Sequence, residues 1–209
     1  MKIGIDIRTL LDARPSGVSE YVLNLLKEMF KLDTANEYRL FYNCFGDCPN
    51  LPEFKQANVK LIKYNYPNKV LNYLLFKIFN YPKLDKDLAV DVFFMPHLNF
   101  IGLSVGAKSL LTAHDLSFLK YPEFFSARKN FWHRLVKAKK LLKRFSLVIA
   151  VSENTKRDIM ELGGKLFKNC STVLYFFSRS INLAPVSLDT VGQTKDSWSI
   201  ILFCSGLSS

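Results

Sequence analysis

The chain predicts an α/β fold, a parallel sheet with helices on both faces, and three observations lead there. Short apolar runs alternate with segments of helical period from end to end. The runs stop abruptly at polar residues, as Leu110-Leu111-Thr112-Ala113 stops at His114-Asp115. At 209 residues and 49% hydrophobic content, the chain can bury a substantial core as one domain or one and a half.

Residues 2–7 read as a β-branched strand, and the polar turn 12–16 leads into a helix over 17–32. Val18, Tyr21, Val22, Leu25, Leu26 and Met29 recur there at the three and four spacing of a face buried against a sheet. Residues 38–42 and 59–62 read as short strands, and 70–79 as an amphipathic or wholly apolar helix. Strands over 90–95 and 109–113 run into Pro96-His97 and His114-Asp115. A long, very basic helix is expected over 127–145, a buried strand over 147–151, and a helix over 153–162 closed by Gly163-Gly164. Beyond Gly164 the composition changes: residues 165–209 hold nine serines against eight in the preceding 164, and no glutamate. Strands over 172–177 and 199–204 are the elements expected in that tail.

Lys and Arg number 29 against 18 Asp and Glu, a net charge of +11 that favours anionic partners such as phosphates, lipid headgroups or nucleic acid. The opening Met-Lys-Ile-Gly-Ile-Asp-Ile-Arg alternates polar and apolar residues and does not read as a signal peptide, so a cytoplasmic location is expected. The richest apolar stretch, 70–79, is broken by Asn72 and Lys77 and is about half the roughly 20 residues a spanning helix needs. Cys44, Cys48, Cys170 and Cys204 lack the spacing of a metal knuckle and, by the compartment rule, are expected as reduced thiols. No metal is expected.

In an open α/β sheet, ligands sit beyond the carboxyl ends of the strands, so the polar residues found there are the candidates. Arg8 follows the first strand, and Arg14-Pro15-Ser16-Gly17-Val18 opens the first helix, where a glycine lets backbone N–H groups approach an anion. A glycine at a helix start is also an ordinary structural choice, and the Gly-x-Gly-x-x-Gly fingerprint is absent. His114-Asp115 reads either as site chemistry or as capping, with Asp115 satisfying the next turn. His97, at the end of a neighbouring strand, favours a shared cleft. Ser152 is a good N-cap that could also touch a ligand.

Between Arg128 and Arg144, eight cations interleave with Phe131, Trp132, Leu135, Val136, Leu141 and Leu142. One face should pack on the sheet while the cationic face is solvated or docks on anionic lipid, with Trp132 or Phe131 at the interface beside Arg134, Lys137, Lys140 and Arg144. No nucleic-acid reading motif accompanies the charge, and nucleic acid is not the expected partner. The aromatics of 70–82, among them Tyr73, Phe76, Phe79 and Tyr81, read as core or as a greasy surface for a lipid-linked substrate.

Taken together, Gly4-Ile5-Asp6-Ile7-Arg8, Ser16-Gly17-Val18 with Tyr21 and Asn24-Leu25-Leu26, Thr112-Ala113-His114-Asp115-Leu116-Ser117, Tyr121-Pro122-Glu123-Phe124-Phe125, and Ala150-Val151-Ser152-Glu153-Asn154-Thr155-Lys156-Arg157-Asp158-Ile159 resemble the N-terminal half of glycosyltransferase family 4 over residues 1–164. The resemblance implies a Rossmann-like domain, one half of a two-domain GT-B architecture. Such enzymes are retaining and move a sugar from a nucleotide-diphosphate donor to an acceptor, with no metal expected. By resemblance, Ser16-Gly17 would lie near the donor phosphates, His114 near the transferred sugar, and Pro96-His97 on the acceptor side, with Asp115 orienting His114 or holding its loop. A carbohydrate or lipid-linked acceptor would be the partner, and the inner face of the membrane a possible peripheral location.

The family's second domain holds the donor with basic residues and a spaced pair of glutamates. No glutamate follows Glu161, so that pair is missing here, and the tail departs from the family's pattern in a way that suggests a reading-frame change. The expectation is an acceptor-side domain of a hexosyl- or mannosyl-type transferase, truncated and inactive alone. Competing expectations are one subunit of a split enzyme, with a donor-domain chain as partner, or a non-catalytic module that binds anionic membranes.

Overall fold

Seven parallel strands form one sheet in the computed structural model, which describes residues 1–48, 50–163 and 170–172. They are β1 (Lys2–Asp6), β2 (Glu37–Asn43), β3 (Val59–Tyr64), β4 (Val92–Met95), β5 (Ser109–Ala113), β6 (Leu147–Ala150) and β7 (Cys170–Thr172), in the order β3-β2-β1-β4-β5-β6-β7. The expected parallel α/β sheet is therefore present. The register pairs Ile3 with Tyr38 on one side and with Val92 on the other, so β1 lies where the strand order reverses. That is the switch point at which open sheets of this kind hold ligands.

Alternation along the strands feeds two cores. Ile3, Ile5, Leu40, Val92, Phe94, Leu110 and Ile149 face one side, where α1 (Gly17–Leu32) packs Val22, Leu26, Met29 and Phe30 onto them. Phe93, Met95, Leu111, Ala113, Val148 and Ala150 face the other side. There they meet Leu71 and Phe76 of the helix Val70–Phe79, Leu84 of α2 (Leu84–Asp87) and Phe118 of α3 (Ser117–Lys120). Further along the same side, α4 (Ala127–Val136), α5 (Ala138–Leu142) and α6 (Glu153–Gly163) add Val136, Leu141 and Ile159. Helices cover both faces, which is why the inner strands read as near-continuous apolar runs.

Helix α1 has the bounds its pattern predicts. Ser16 and Ser19 cap its start reciprocally: the Ser19 N–H donates to Ser16 Oγ at 3.2 Å, and the Ser16 N–H donates to Ser19 Oγ at 2.7 Å. Two otherwise orphaned N–H groups are satisfied there. Four fully or nearly buried side chains on its inner face then contribute roughly 1.5–3 kcal/mol each.

Two local expectations are corrected, and a third element, the helix expected over 70–79, is present with those bounds but in a rarer winding. The basic segment is not one helix over 127–145: Lys137 adopts a left-handed conformation, φ 52°, and splits it into α4 and α5. The helix Val70–Phe79 is wound as a π-helix and ends at Asn80, φ 49°, a residue type that tolerates this region. Cys44 and Cys48, expected as free thiols, form a disulfide with an S–S distance of 2.05 Å. Of the tail, residues 173–177 of one expected strand, the strand over 199–204 and the helix-closing Gly164 lie outside the described residues.

Gly102 is a close-approach position. A Cβ there would lie 2.2 Å from the backbone oxygen of Pro82, which no side-chain rotation can relieve. Next to it, Asn80 pairs with Leu103 through both halves of its amide and also accepts from Arg144 Nη2 at 3.2 Å. Gly102→Ala is expected to cost at least roughly 1–3 kcal/mol by forcing these segments apart. Urea denaturation should show a lower midpoint with an unchanged slope.

Candidate active site

The carboxyl ends of β1, β4, β5 and β6 deliver Ile7-Arg8, Pro96-His97, His114-Asp115 and Val151-Ser152 to one edge of the sheet. His114 is half-buried, and its Nε2 lies 2.8 Å from the Pro96 carbonyl oxygen. A carbonyl can only accept, so Nε2 carries the proton and Nδ1 is left as an acceptor when the ring is neutral. Burial lowers the His114 pKa and the bond to Pro96 partly offsets it, which keeps the ring neutral at physiological pH. Tyr21, in the second turn of α1, packs edge-on against the imidazole with ring centroids 4.7 Å apart. Behind it, Thr155 of α6 donates through Oγ1 to the His114 carbonyl at 3.3 Å.

Asp115 is exposed and closes a turn just ahead of α3. Its Oδ1 accepts from the Ser117 N–H at 2.7 Å and its Oδ2 from the Ser117 hydroxyl at 2.6 Å. Ser152 caps α6, accepting from the Thr155 N–H at 3.1 Å. At α1, a Cβ on Gly17 would meet nothing within 4 Å, so the space in front of the Ser16-Gly17-Val18 turn is open.

Two expected ligand contacts lie inside the protein instead. Arg8 is buried, with Nη2 donating to Asp6 Oδ2 at 2.6 Å and to the Phe100 carbonyl at 2.7 Å, and Nη1 donating to Asn72 Oδ1 at 2.8 Å. Its guanidinium lies over the Phe41 and Phe76 rings, 5.2 and 5.3 Å from their centroids. A cation so fully engaged ties the end of β1 to the chain around Asn72 and Phe100. His97 is likewise 8% exposed rather than lining an open surface.

Burial lowers the His97 pKa to about 4, with the Asp6 carboxylate pulling it back up and Arg8 and His114 adding to the fall. Its Nδ1 has no hydrogen-bond partner among the described residues. Asp6 is wholly buried; burial alone would raise its pKa, but Arg8 and His97 outweigh that and hold the carboxyl below its usual range. Sequence reasoning missed the Asp6–Arg8 pair, although opposite charges two residues apart where the first strand ends were a usable signal.

The expected membrane surface is also redrawn. Trp132 is half-buried against Phe100 and His133, with centroids 6.2 and 5.1 Å apart, and does not face solvent as an anchor. Arg144 donates through Nη2 to Asn80 Oδ1 and to the Leu103 carbonyl, so it latches the fold. Arg134, Lys137, Lys140 and Arg144 itself are exposed as expected. Phe131 of α4 is the exposed aromatic of this segment, at 62%, and further exposed apolar side chains lie on the π-helix and just after it, with Ile78 at 65%, Phe79 at 62% and Tyr81 at 60%. No helix among the described residues is long and apolar enough to cross a membrane.

The sequence profile described as Glycosyltransferase Family 4 matches residues 15–168, from the α1 cap to just beyond α6. The chain belongs to glycosyltransferase family 4. Among solved structures, this family 4 chain is similar to that of Anabaena Alr3699/HepE in complex with UDP-glucose, at 18% identity and a TM-score of 0.42. The similarity covers 83% of the present chain and 43% of that one, so the family 4 chain spans less than half the length of its structural relative. No curated protein matches it.

Proposed function

We propose that the chain supplies the acceptor side of a retaining, nucleotide-sugar-dependent hexosyl transfer in surface-polysaccharide or lipid-linked glycan assembly. The observation that supports this best is His114: a neutral imidazole at the sheet's carboxyl edge, locked by Pro96, Tyr21 and Thr155, with Nδ1 left to accept. In this role Nδ1 accepts a hydrogen bond from a hydroxyl of the transferred sugar and holds the ring in line with the acceptor, a positioning function. Asp115, committed to Ser117, keeps the loop in place. The open start of α1 suits the donor phosphates, since a helix N-terminus of this length favours negative charge. The remaining grip on the nucleotide-diphosphate sugar comes from a second domain or a separate chain, and this chain alone turns nothing over.

Sugar transfer to a lipid-linked acceptor, assayed with the chain alone and mixed with a donor-domain chain, tests the reading. Transfer is expected only in the mixture, and His114→Ala is expected to lower its kcat about a hundredfold, the scale of one lost hydrogen bond at a reacting centre. An unchanged rate in the His114→Ala mixture rejects the assignment. The exposed apolar π-helix, with Lys69 and Lys77 beside it, supports peripheral seating on an anionic bilayer. Flotation with anionic vesicles should be lost in Ile78→Ser/Phe79→Ser and kept in His114→Ala.

A further inference from the structure

The left-handed turn at Lys137 does more than shorten a helix. It lets α5 turn away from α4 and leaves a cavity of about 260 Å³ between them and α3, the helix that follows the Asp115 turn. The apolar floor comes from Phe118, Leu119 and Pro122, and the rim from Arg134, Lys137, Lys139 and Lys140. None of these four cations forms an ion pair with an acidic residue among the described residues, and no carboxylate lines the cavity. The nearby Lys120, by contrast, is committed to Asp158 and Glu161 of α6.

His133 forms one wall, stacked on Phe118 with centroids 3.8 Å apart. Asp115 lies close enough to act on its charge, which places the cavity beside the His114 loop. A left-handed lysine is an uncommon and strained choice that the surrounding structure must hold in place, and such residues cluster where function needs them.

We propose that this cavity binds a phosphate ester of an apolar alcohol, the phosphate against the cationic rim and the first carbons of the chain on the apolar floor. Cations with no acidic partner among the described residues, set above an apolar floor, suit a ligand that is anionic at one end and greasy at the other. The volume falls below the roughly 300–1,000 Å³ of sites that enclose whole small-molecule ligands, so it fits the head of a long carrier rather than a nucleotide sugar. Resting on the reading of an acceptor-side domain, the inference names the acceptor class: a sugar carried on a lipid phosphate, with that phosphate seated beside the transfer point.

Titration of the full chain with farnesyl phosphate, farnesol and inorganic phosphate, followed by calorimetry and tryptophan fluorescence, tests it. Farnesyl phosphate is expected to bind at least about tenfold more tightly than either fragment, and Arg134→Ala/Lys137→Asn/Lys140→Ala to weaken it by about tenfold or more, since several charge-assisted contacts go. Asparagine keeps the left-handed turn. Lys27→Ala/Lys55→Ala/Lys86→Ala removes the same charge elsewhere and should bind like the wild type; equal weakening by both triples overturns the proposal as a general charge effect. Lys140→Glu, a single change at an exposed side chain, should also weaken binding and guards against misfolding of the triple. Farnesol or inorganic phosphate binding as tightly as farnesyl phosphate overturns it too. His114→Ala should bind farnesyl phosphate normally, so loss of transfer with binding intact counts against the catalytic reading alone.

Discussion

Arg8→Ala is expected to destabilise the chain by about 3–5 kcal/mol, the scale found when one partner of a buried ion pair is removed. Asp6 is wholly buried and Arg8 nearly so, and the guanidinium also satisfies the Phe100 carbonyl and Asn72. Truncation leaves the Phe100 carbonyl and the Asn72 amide oxygen without that donor, leaves the buried Asp6 carboxylate with the backbone N–H of residue 8 but no counter-charge on it, and empties the space between Phe41 and Phe76. Against a total stability of about 5–15 kcal/mol, such a loss brings many domains near their unfolding threshold. Replacing the pair together, Asp6→Leu with Arg8→Met, should cost far less than Arg8→Ala, because no charge is stranded. Equilibrium urea denaturation of the three proteins checks this, and a single variant as stable as the double would refute the account.

Acid sensitivity is the second large effect, and it is set by His97. An unfolded imidazole titrates near 6.5, whereas the buried His97 titrates at about 4. Between those values the unfolded chain holds a proton that the folded chain refuses, so stability is full above pH 6.5 and falls as the pH drops towards 4. The difference corresponds to about 3 kcal/mol. His114 and His133 are lowered by burial as well and act in the same direction.

Asp6 behaves as a separate, lower leg. Its folded pKa is depressed below 3.8, so its contribution is present above that value and is lost only at lower pH. Denaturation midpoints measured from pH 7.5 to 3 should therefore fall in two stages, and His97→Gln should flatten the upper one while leaving the lower. A His97→Gln profile with the same slope between pH 6.5 and 4 would show that the destabilisation arises elsewhere.

Much of this was legible because the relevant forces are local. The bounds of α1 follow from a serine cap and an apolar stripe, and β5 from an apolar run that stops at His114, so pattern alone places both. What escaped the sequence depends on partners distant along the chain or on rare backbone states. Arg8 looks like a substrate cation until Asn72 and Phe100 are brought to it from 64 and 92 residues away. Lys137 has no residue-type signal for a left-handed turn, a role that glycine or asparagine usually fills, so the break between α4 and α5 could not be seen, and neither could the cavity it opens. Trp132 was misplaced for the same reason: the surface it shares with Phe100 exists only after the crossovers are folded.

Asn80 joins three distant pieces of chain, the end of the π-helix, Leu103 and Arg144, through one amide. The greasy helix and the basic segment that bounds the cavity are thereby hydrogen-bonded to one another. A bilayer that seats one would set the height of the other, so the reach from headgroup depth to His114 would be a dimension of the protein, the same for every carrier whatever the length of its tail.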